Sequence, residues 1–137
     1  MRYSYPADIN PQEGGYLVTF PDIPEAITEG DTFEEAEANA VDCLVTALSF
    51  YVDGKEDIPA ASVGTRYIDI PPVPAAKLAL YTAMRGHISN VELGRRMGVT
   101  EGAIRRLLDL RHRSHIDQVA RALELLGRRI VLDVEAA

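Results

Sequence analysis

The chain has 137 residues, 47% of them apolar and 26% charged, with a net charge of −7. That is globular composition, in a length that builds one ordinary domain or two very small ones. Its best apolar run, residues 41–52, is broken by Asp42, Thr46 and Ser49 and is shorter than the roughly 20 residues of a membrane helix. With no apolar signal core in residues 1–6 and a lone Cys43, the secreted, membrane-spanning and zinc-ribbon classes are excluded and a reducing cytoplasm is expected.

Residues 2–9 alternate loosely and read as a first strand, followed by the turn chemistry of Asn10-Pro11-Gln12-Glu13-Gly14-Gly15. Tyr16-Leu17-Val18-Thr19-Phe20 is β-branched and aromatic, the second strand of a hairpin. Pro21-Asp22-Ile23-Pro24 breaks the ladder, and residues 26–30 supply a short third strand. Thr32-Phe33-Glu34-Glu35 is a capping box with Thr32 as N-cap. Behind it Ala36, Ala40, Cys43, Leu44, Ala47, Leu48 and Tyr51 recur at helical spacing, a stripe that must lie on a sheet, until Asp53-Gly54 stops the helix. Residues 65–70 alternate strictly, with Ile68 and Ile70 on one face of a last strand. The order βββαβ is an α+β arrangement, one sheet with one helix packed on it.

Pro71-Pro72-Val73-Pro74 reads as a stiff, extended linker. The expected organisation is therefore a module of residues 1–70, a linker over 71–76 and a second module of residues 77–137. The second module is helical. Pro74 opens a helix that Gly86 closes, Ser89 or Asn90 caps residues 91–97, Thr100 caps residues 101–110, and a last helix runs over 116–126 before Gly127. Residues 92–107 have helix-turn-helix spacing: Gly94 allows close helix crossing, Gly98 supplies a left-handed turn, Val99 plugs the space between helices, and Ile104 and Leu107 anchor the second helix inward. With Ile104, Leu107 and Leu108 toward the core, Glu101, Gly102, Arg105, Arg106 and Asp109 face outward. Arg105 or Arg106 can fork onto guanine, and Gly102 lets the helix start approach the bases. Ser89, Asn90, Thr100, Arg111, His112 and Arg113 are placed for phosphate contacts. Residues 129–134 read as a strand with no sheet of its own module to join, so pairing with a second copy and a homodimer or higher homo-oligomer are expected.

The charge divides along the same boundary. Residues 1–70 hold three basic and fourteen acidic side chains, a net of −11, whereas residues 71–137 hold eleven basic and seven acidic, a net of +4. Such segregation suits an acidic module facing a basic partner and a basic module facing phosphate. Catalysis is not expected. Asp8, Asp22, Asp31 and Asp69 could be imagined as a nuclease's metal cluster, but three of them sit in turns or at strand ends beside Pro or Gly, and the acidic half has neither a histidine nor a Gly-rich phosphate loop. Cys43 falls on the apolar stripe as a small core residue, and His112 and His115 have no partner ligands at zinc spacing, so no metal or cofactor is expected.

The series Gly14-Gly15-Tyr16 … Phe20-Pro21-Asp22-Ile23-Pro24 … Gly30-Asp31-Thr32, with the alanine-rich helix after it, resembles the HicB family of antitoxins over nearly the whole first module. The second module is similar to the helix-turn-helix that one branch of that family carries. The resemblance implies a partial ribonuclease-H-like βββαβ sheet without catalytic carboxylates. It also implies a small basic HicA-type toxin, an mRNA-cleaving ribonuclease, as partner, and repression of the chain's own operon through double-stranded operator DNA. Tyr16, Phe20, Asp22 and Glu29 are the expected toxin contacts. A free-standing helix-turn-helix regulator with a ligand-sensing first module is the alternative, and it needs a concave apolar pocket within residues 1–70.

Overall fold

A computed structural model describes residues 2–137. The chain runs through β1 (Ser4–Pro6), β2 (Asp8–Gln12), β3 (Gly15–Thr19), β4 (Ile27–Gly30), α1 (Phe33–Asp53), β5 (Tyr67–Asp69), α2 (Pro72–Met84), α3 (Asn90–Met97), α4 (Glu101–Leu108) and α5 (Ile116–Leu125). The single first strand expected over residues 2–9 is two strands. β1 pairs antiparallel with β5, Tyr5 opposite Ile68, while β2 pairs with β3 and β3 with β4. Between the two ladders, the Ala7 N–H donates to the Arg66 carbonyl at 3.0 Å. The strand order is therefore β1-β5 and β2-β3-β4, not one βββαβ sheet. The turn is also tighter than its composition suggests. Asn10, Pro11 and Gln12 belong to β2, Gln12 faces Gly15, and Glu13-Gly14 alone make the loop.

α1 starts where the capping residue places it, with the Thr32 hydroxyl accepting the Glu35 N–H at 3.1 Å. Ala36, Ala40, Leu44, Ala47 and Leu48 are buried against the sheet, joined by Ser49 and Val52, while Cys43 and Tyr51 are only half-buried at the edge of the stripe. The close approach of α1 to β4 depends on Gly30, where a Cβ would collide with the backbone of Ala36. Gly54 at the end of α1 keeps a right-handed φ of −80°; the left-handed residue is Lys55, at φ 55°.

The expected extended linker is corrected: Pro72 is the first residue of α2, and Pro71 stands before it at φ −55°. Proline's fixed φ suits a helix's first turn as well as it suits polyproline geometry, and its missing N–H costs nothing there. α2 is also apolar on two sides. Leu78 and Tyr81 enter the core of the sheet and α1, with Tyr5, Val18, Phe20, Ile23, Leu44, Leu48 and Ile68. Ala76, Leu80 and Met84 enter a second core, with Leu93, Met97, Ile104, Leu107, Val119 and Leu123. The helix thus lies between two cores and belongs to both. At its C-terminal end the Tyr81 hydroxyl donates to the Glu56 carbonyl at 2.6 Å, and Arg85 reaches the Lys55 carbonyl and the Asp57 carboxylate.

α4 ends at Leu108 rather than at residue 110, because Leu110 turns away into the first core. Residues 129–134 form no strand within the single chain. Val131, Leu132 and Val134 are exposed there, and Glu135 meets Arg2 through two guanidinium contacts at 3.1 and 3.2 Å.

Candidate nucleic-acid and partner interfaces

α3 and α4 are built from caps and one turn. The Ser89 hydroxyl accepts the Glu92 N–H and the Thr100 hydroxyl accepts the Ala103 N–H, both at 3.1 Å, which satisfies orphan donors in the first turns. Gly98 closes α3 in the left-handed conformation, φ 71° and ψ 31°. Gly94 is buried, and a Cβ on it would come within 2.9 Å of the Val99 carbonyl, so glycine is what lets α3 sit against the turn. Val99 does not plug the space between the helices. It is 39% exposed, and its backbone rather than its side chain fills that contact.

Leu93, Met97, Ile104 and Leu107 hold the pair inward, leaving Arg105 and Arg106 exposed on α4. Arg105 is tied to the Glu101 carboxylate one turn earlier, and Asn90 approaches the other Glu101 oxygen at 3.4 Å. The Arg105 hydrogen bond, ahead of the Asn90 contact, holds the Glu101 carboxyl below the usual carboxylate range. Arg106 pairs with no carboxylate among the described residues. On α3, Arg95 and Arg96 both turn onto Glu92, at 2.6 and 3.2 Å, and hold its carboxyl low in the same way. The space beside Gly102 is open apart from ordinary contact with the Arg106 guanidinium and the Thr100 hydroxyl.

Together Ser89, Asn90, Glu101, Gly102, Arg105 and Arg106 line one broad cleft of about 1350 Å³, whose other wall is Val52, Asp53, Lys55 and Asp57 at the end of α1. Thr100 lies at the head of α4 beside it. Arg111, His112 and Arg113 are exposed on the loop that follows α4. Arg111 is not wholly free for phosphate, since its guanidinium lies 5.7 Å over the Phe50 ring of α1.

The four expected partner contacts scatter. Glu29 is exposed on β4 and accepts from the Gln12 amide at 3.1 Å. Tyr16 is half-buried, its ring edge-to-face with Phe33 at 5.8 Å. Phe20 is 2% exposed inside the first core and has no face to offer a docked protein. Asp22 is half-buried and occupied, accepting the Ser62 N–H at 2.9 Å and its hydroxyl at 3.0 Å, so it fixes the loop before β5. A groove that the sequence pattern did not reveal lies along α1, lined by Glu25, Thr28, Asn39, Asp42, Cys43 and Phe50, with a volume of about 410 Å³. Burial raises the Cys43 thiol on its wall, away from the reactive thiolate.

Lys77 was also missed. Its side chain is fully buried, and its ammonium donates to the Arg106, Asp109 and His112 carbonyls at 3.0, 2.8 and 2.8 Å and to the Ser114 hydroxyl at 2.9 Å. The signal was there: one lysine enclosed by Ala75, Ala76, Leu78, Ala79 and Leu80 has no polar face to lie on.

Comparison with known sequences decides the family. A sequence model described as HicB_like antitoxin of bacterial toxin-antitoxin system matches residues 4–79. The chain belongs to the HicB-like antitoxin family. It is accordingly a regulatory protein and not an enzyme. Antitoxin HicB 1 of Photorhabdus laumondii subsp. laumondii is 42% identical over 134 residues, covering 96% of this chain and 86% of that protein. Antitoxin HicB of Pseudomonas fluorescens (strain Pf0-1) is 41% identical over 142 aligned positions, covering 100% and 97%. Antitoxin HicB of Escherichia coli (strain K12) is 41% identical over 133, covering 93% and 96%. The likeness to these HicB antitoxins thus extends past residue 79 through the helical half. Among the described residues no helix is long and apolar enough to cross a membrane.

Proposed function

We propose that this chain neutralises a small, basic, mRNA-cleaving toxin of the HicA type through its acidic sheet module, and represses its own operon in the cytoplasm by placing α4 in the major groove of operator DNA. The observation that carries the reading is the segregation of charge, net −11 before residue 71 and +4 after it, with Arg105 and Arg106 outward on a short capped helix. A ribonuclease surface that holds RNA phosphates is cationic, and an acidic protein competes for it while steering fast association. Inhibition is by occupation, without turnover.

Toward the toxin, Tyr16 and Glu29 remain the proposed contacts; Phe20 is buried in the first core and Asp22 holds Ser62. Toward DNA, Arg105 and Arg106 are proposed to read base edges. Ser89, Asn90, Thr100, Glu101, Gly102, Arg111, His112 and Arg113 are proposed to set the docking position. The exposed apolar run Ile130, Val131, Leu132 and Val134 supports pairing with the same segment of a second copy. Deleting residues 129–137 is then expected to lower the oligomeric state in light scattering, and an unchanged mass removes that part. The meander β2-β3-β4 under α1 supports the proposed partial ribonuclease-H-like arrangement of this module.

The test is a pair of assays on the wild-type chain. It is expected to block RNA cleavage by the toxin encoded beside it and to shift the DNA upstream of its own gene. Each phosphate contact should contribute about −0.9 to the slope of log K against log salt. Unimpeded cleavage removes the antitoxin mechanism, and a salt-independent shift removes phosphate recognition.

A further inference from the structure

We infer that Lys77, a residue of α2 that faces no solvent, is the positioning residue for the DNA-reading surface. It fixes both the end of α4 and the loop carrying Arg111, His112 and Arg113. The inference rests on the proposed DNA reading and deepens it. Lys77 is 0% exposed, yet no carboxylate pairs with it among the described residues; its four acceptors are three carbonyls and one hydroxyl. A buried ammonium outside an ion pair persists only where its three N–H donors are all used. Four acceptors share them, and the Asp109 carboxylate lies near enough to favour the charge. Here all of its acceptors come from one stretch of chain.

That stretch matters. The Arg106 carbonyl is one of the last in α4, where orphan carbonyls give the helix its negative end, and a buried cation there is the charge that end favours. The Asp109 and His112 carbonyls and the Ser114 hydroxyl then hold residues 109–114 around the same nitrogen. Besides the burial of Leu110 in the first core and the packing of Arg111 over Phe50, few other hydrogen bonds hold this loop: the His112 N–H donates to the Asp109 carbonyl at 3.1 Å and the Arg111 N–H to the Asp109 carboxylate at 3.0 Å. The three basic side chains 111–113 all point outward from a segment whose backbone is gathered inward by Lys77. Since α2 also forms part of the core under the sheet, the lysine sets this loop relative to the whole molecule. Methionine has the length and apolar stem of lysine but no donors, so Lys77→Met keeps the packing and releases the loop.

The experiment compares wild-type, Lys77→Met and Ser114→Ala full-length chains in three readouts: operator affinity with its salt slope, inhibition of the HicA-type toxin, and amide hydrogen exchange. Lys77→Met is expected to weaken operator binding at least tenfold and to make the salt slope shallower by two to three phosphate contacts. Exchange should quicken at residues 109–114, while toxin inhibition stays within twofold. Ser114→Ala, which removes one acceptor, is expected to weaken operator binding two- to fivefold, and it decides the matter if Lys77→Met does not fold. Operator affinity and slope unchanged in a folded Lys77→Met, or unchanged affinity in Ser114→Ala, overturn the inference. Equal loss of toxin inhibition and operator binding in folded Lys77→Met overturns it as well, since that is general loosening. Wild-type chain that leaves the upstream DNA unshifted overturns the DNA reading first and this inference with it.

Discussion

Tyr5 donates its hydroxyl to the Pro59 carbonyl from a position 4% exposed, and burial, ahead of the nearby Asp22 carboxylate, pushes its phenol up to about 12. An acid whose pKa rises on folding holds its proton longer in the folded chain. Its contribution is therefore intact below the ordinary phenol value near ~10 and is lost as the pH climbs from there toward 12. The free energy of unfolding should fall across that window, by up to ~2–3 kcal/mol from this residue, and denaturation midpoints with it. Tyr5→Phe should flatten the fall in part, since Tyr51 is also raised to about 12; an equally steep fall in Tyr5→Phe contradicts the assignment. At this scale the sequence was legible wherever a residue acts on its own backbone. Thr32, Ser89 and Thr100 cap the helices their positions announce, and Gly98 takes the left-handed turn. It was illegible where a side chain acts over distance. Nothing local tells that Asp22 holds Ser62, and the apolar run around Lys77 signals its burial but not the loop some 30 residues on that it gathers.

The short elements carry the candidate interface, and α4 shows how pairing within an element grades its two arginines. Arg105 is bound to Glu101, whereas Arg106 stands clear of carboxylates among the described residues. Arg106→Ala is therefore expected to cost ~1–3 kcal/mol of operator binding, and Arg105→Ala less, because releasing Arg105 from Glu101 offsets part of its contact. Titration by gel shift checks the order, and a larger loss from Arg105→Ala reverses it. Elements bounded by a cap and a glycine were read closely from the sequence, α1 and α3 above all. The missed boundaries have physical causes. Alternation continues through Ala7, so one strand and two strands look alike until β5 claims β1 as a partner. Pro71-Pro72-Val73-Pro74 fits a helix start as well as an extended linker, and the choice falls to the two cores that α2 fills. The strand expected over residues 129–134 is a different case, since the sequence reading gives its edges to a second chain and a single chain offers it no partner.

At the scale of the whole molecule, two oppositely charged halves are joined by a helix that both cores share. The acidic half reaches the basic one, because Asp53 and Asp57 form the wall of the cleft that α4 faces. Asp57 pairs with Arg85 at 2.9 Å and Lys55 lines the same wall, which leaves Asp53 as the wall carboxylate outside an ion pair among the described residues. Asp53→Asn is thus expected to tighten operator binding about two- to fivefold at low salt, with the gain shrinking as salt rises; no gain at low salt contradicts this placement of the acidic wall. Both the division of charge and the family likeness were legible in the sequence. The cleft was not, since it exists only once α2 has brought the end of α1 opposite α4.

The measurement that tests the central claim most directly uses one protein, the Arg105→Ala/Arg106→Ala double variant, in both assays. With the fold verified by its thermal transition, it is predicted to lose at least tenfold in affinity for the DNA upstream of its gene while inhibiting the HicA-type toxin as the wild type does. Loss of toxin inhibition in step with DNA binding, or undiminished DNA binding, would contradict the division of labour between the acidic and basic halves.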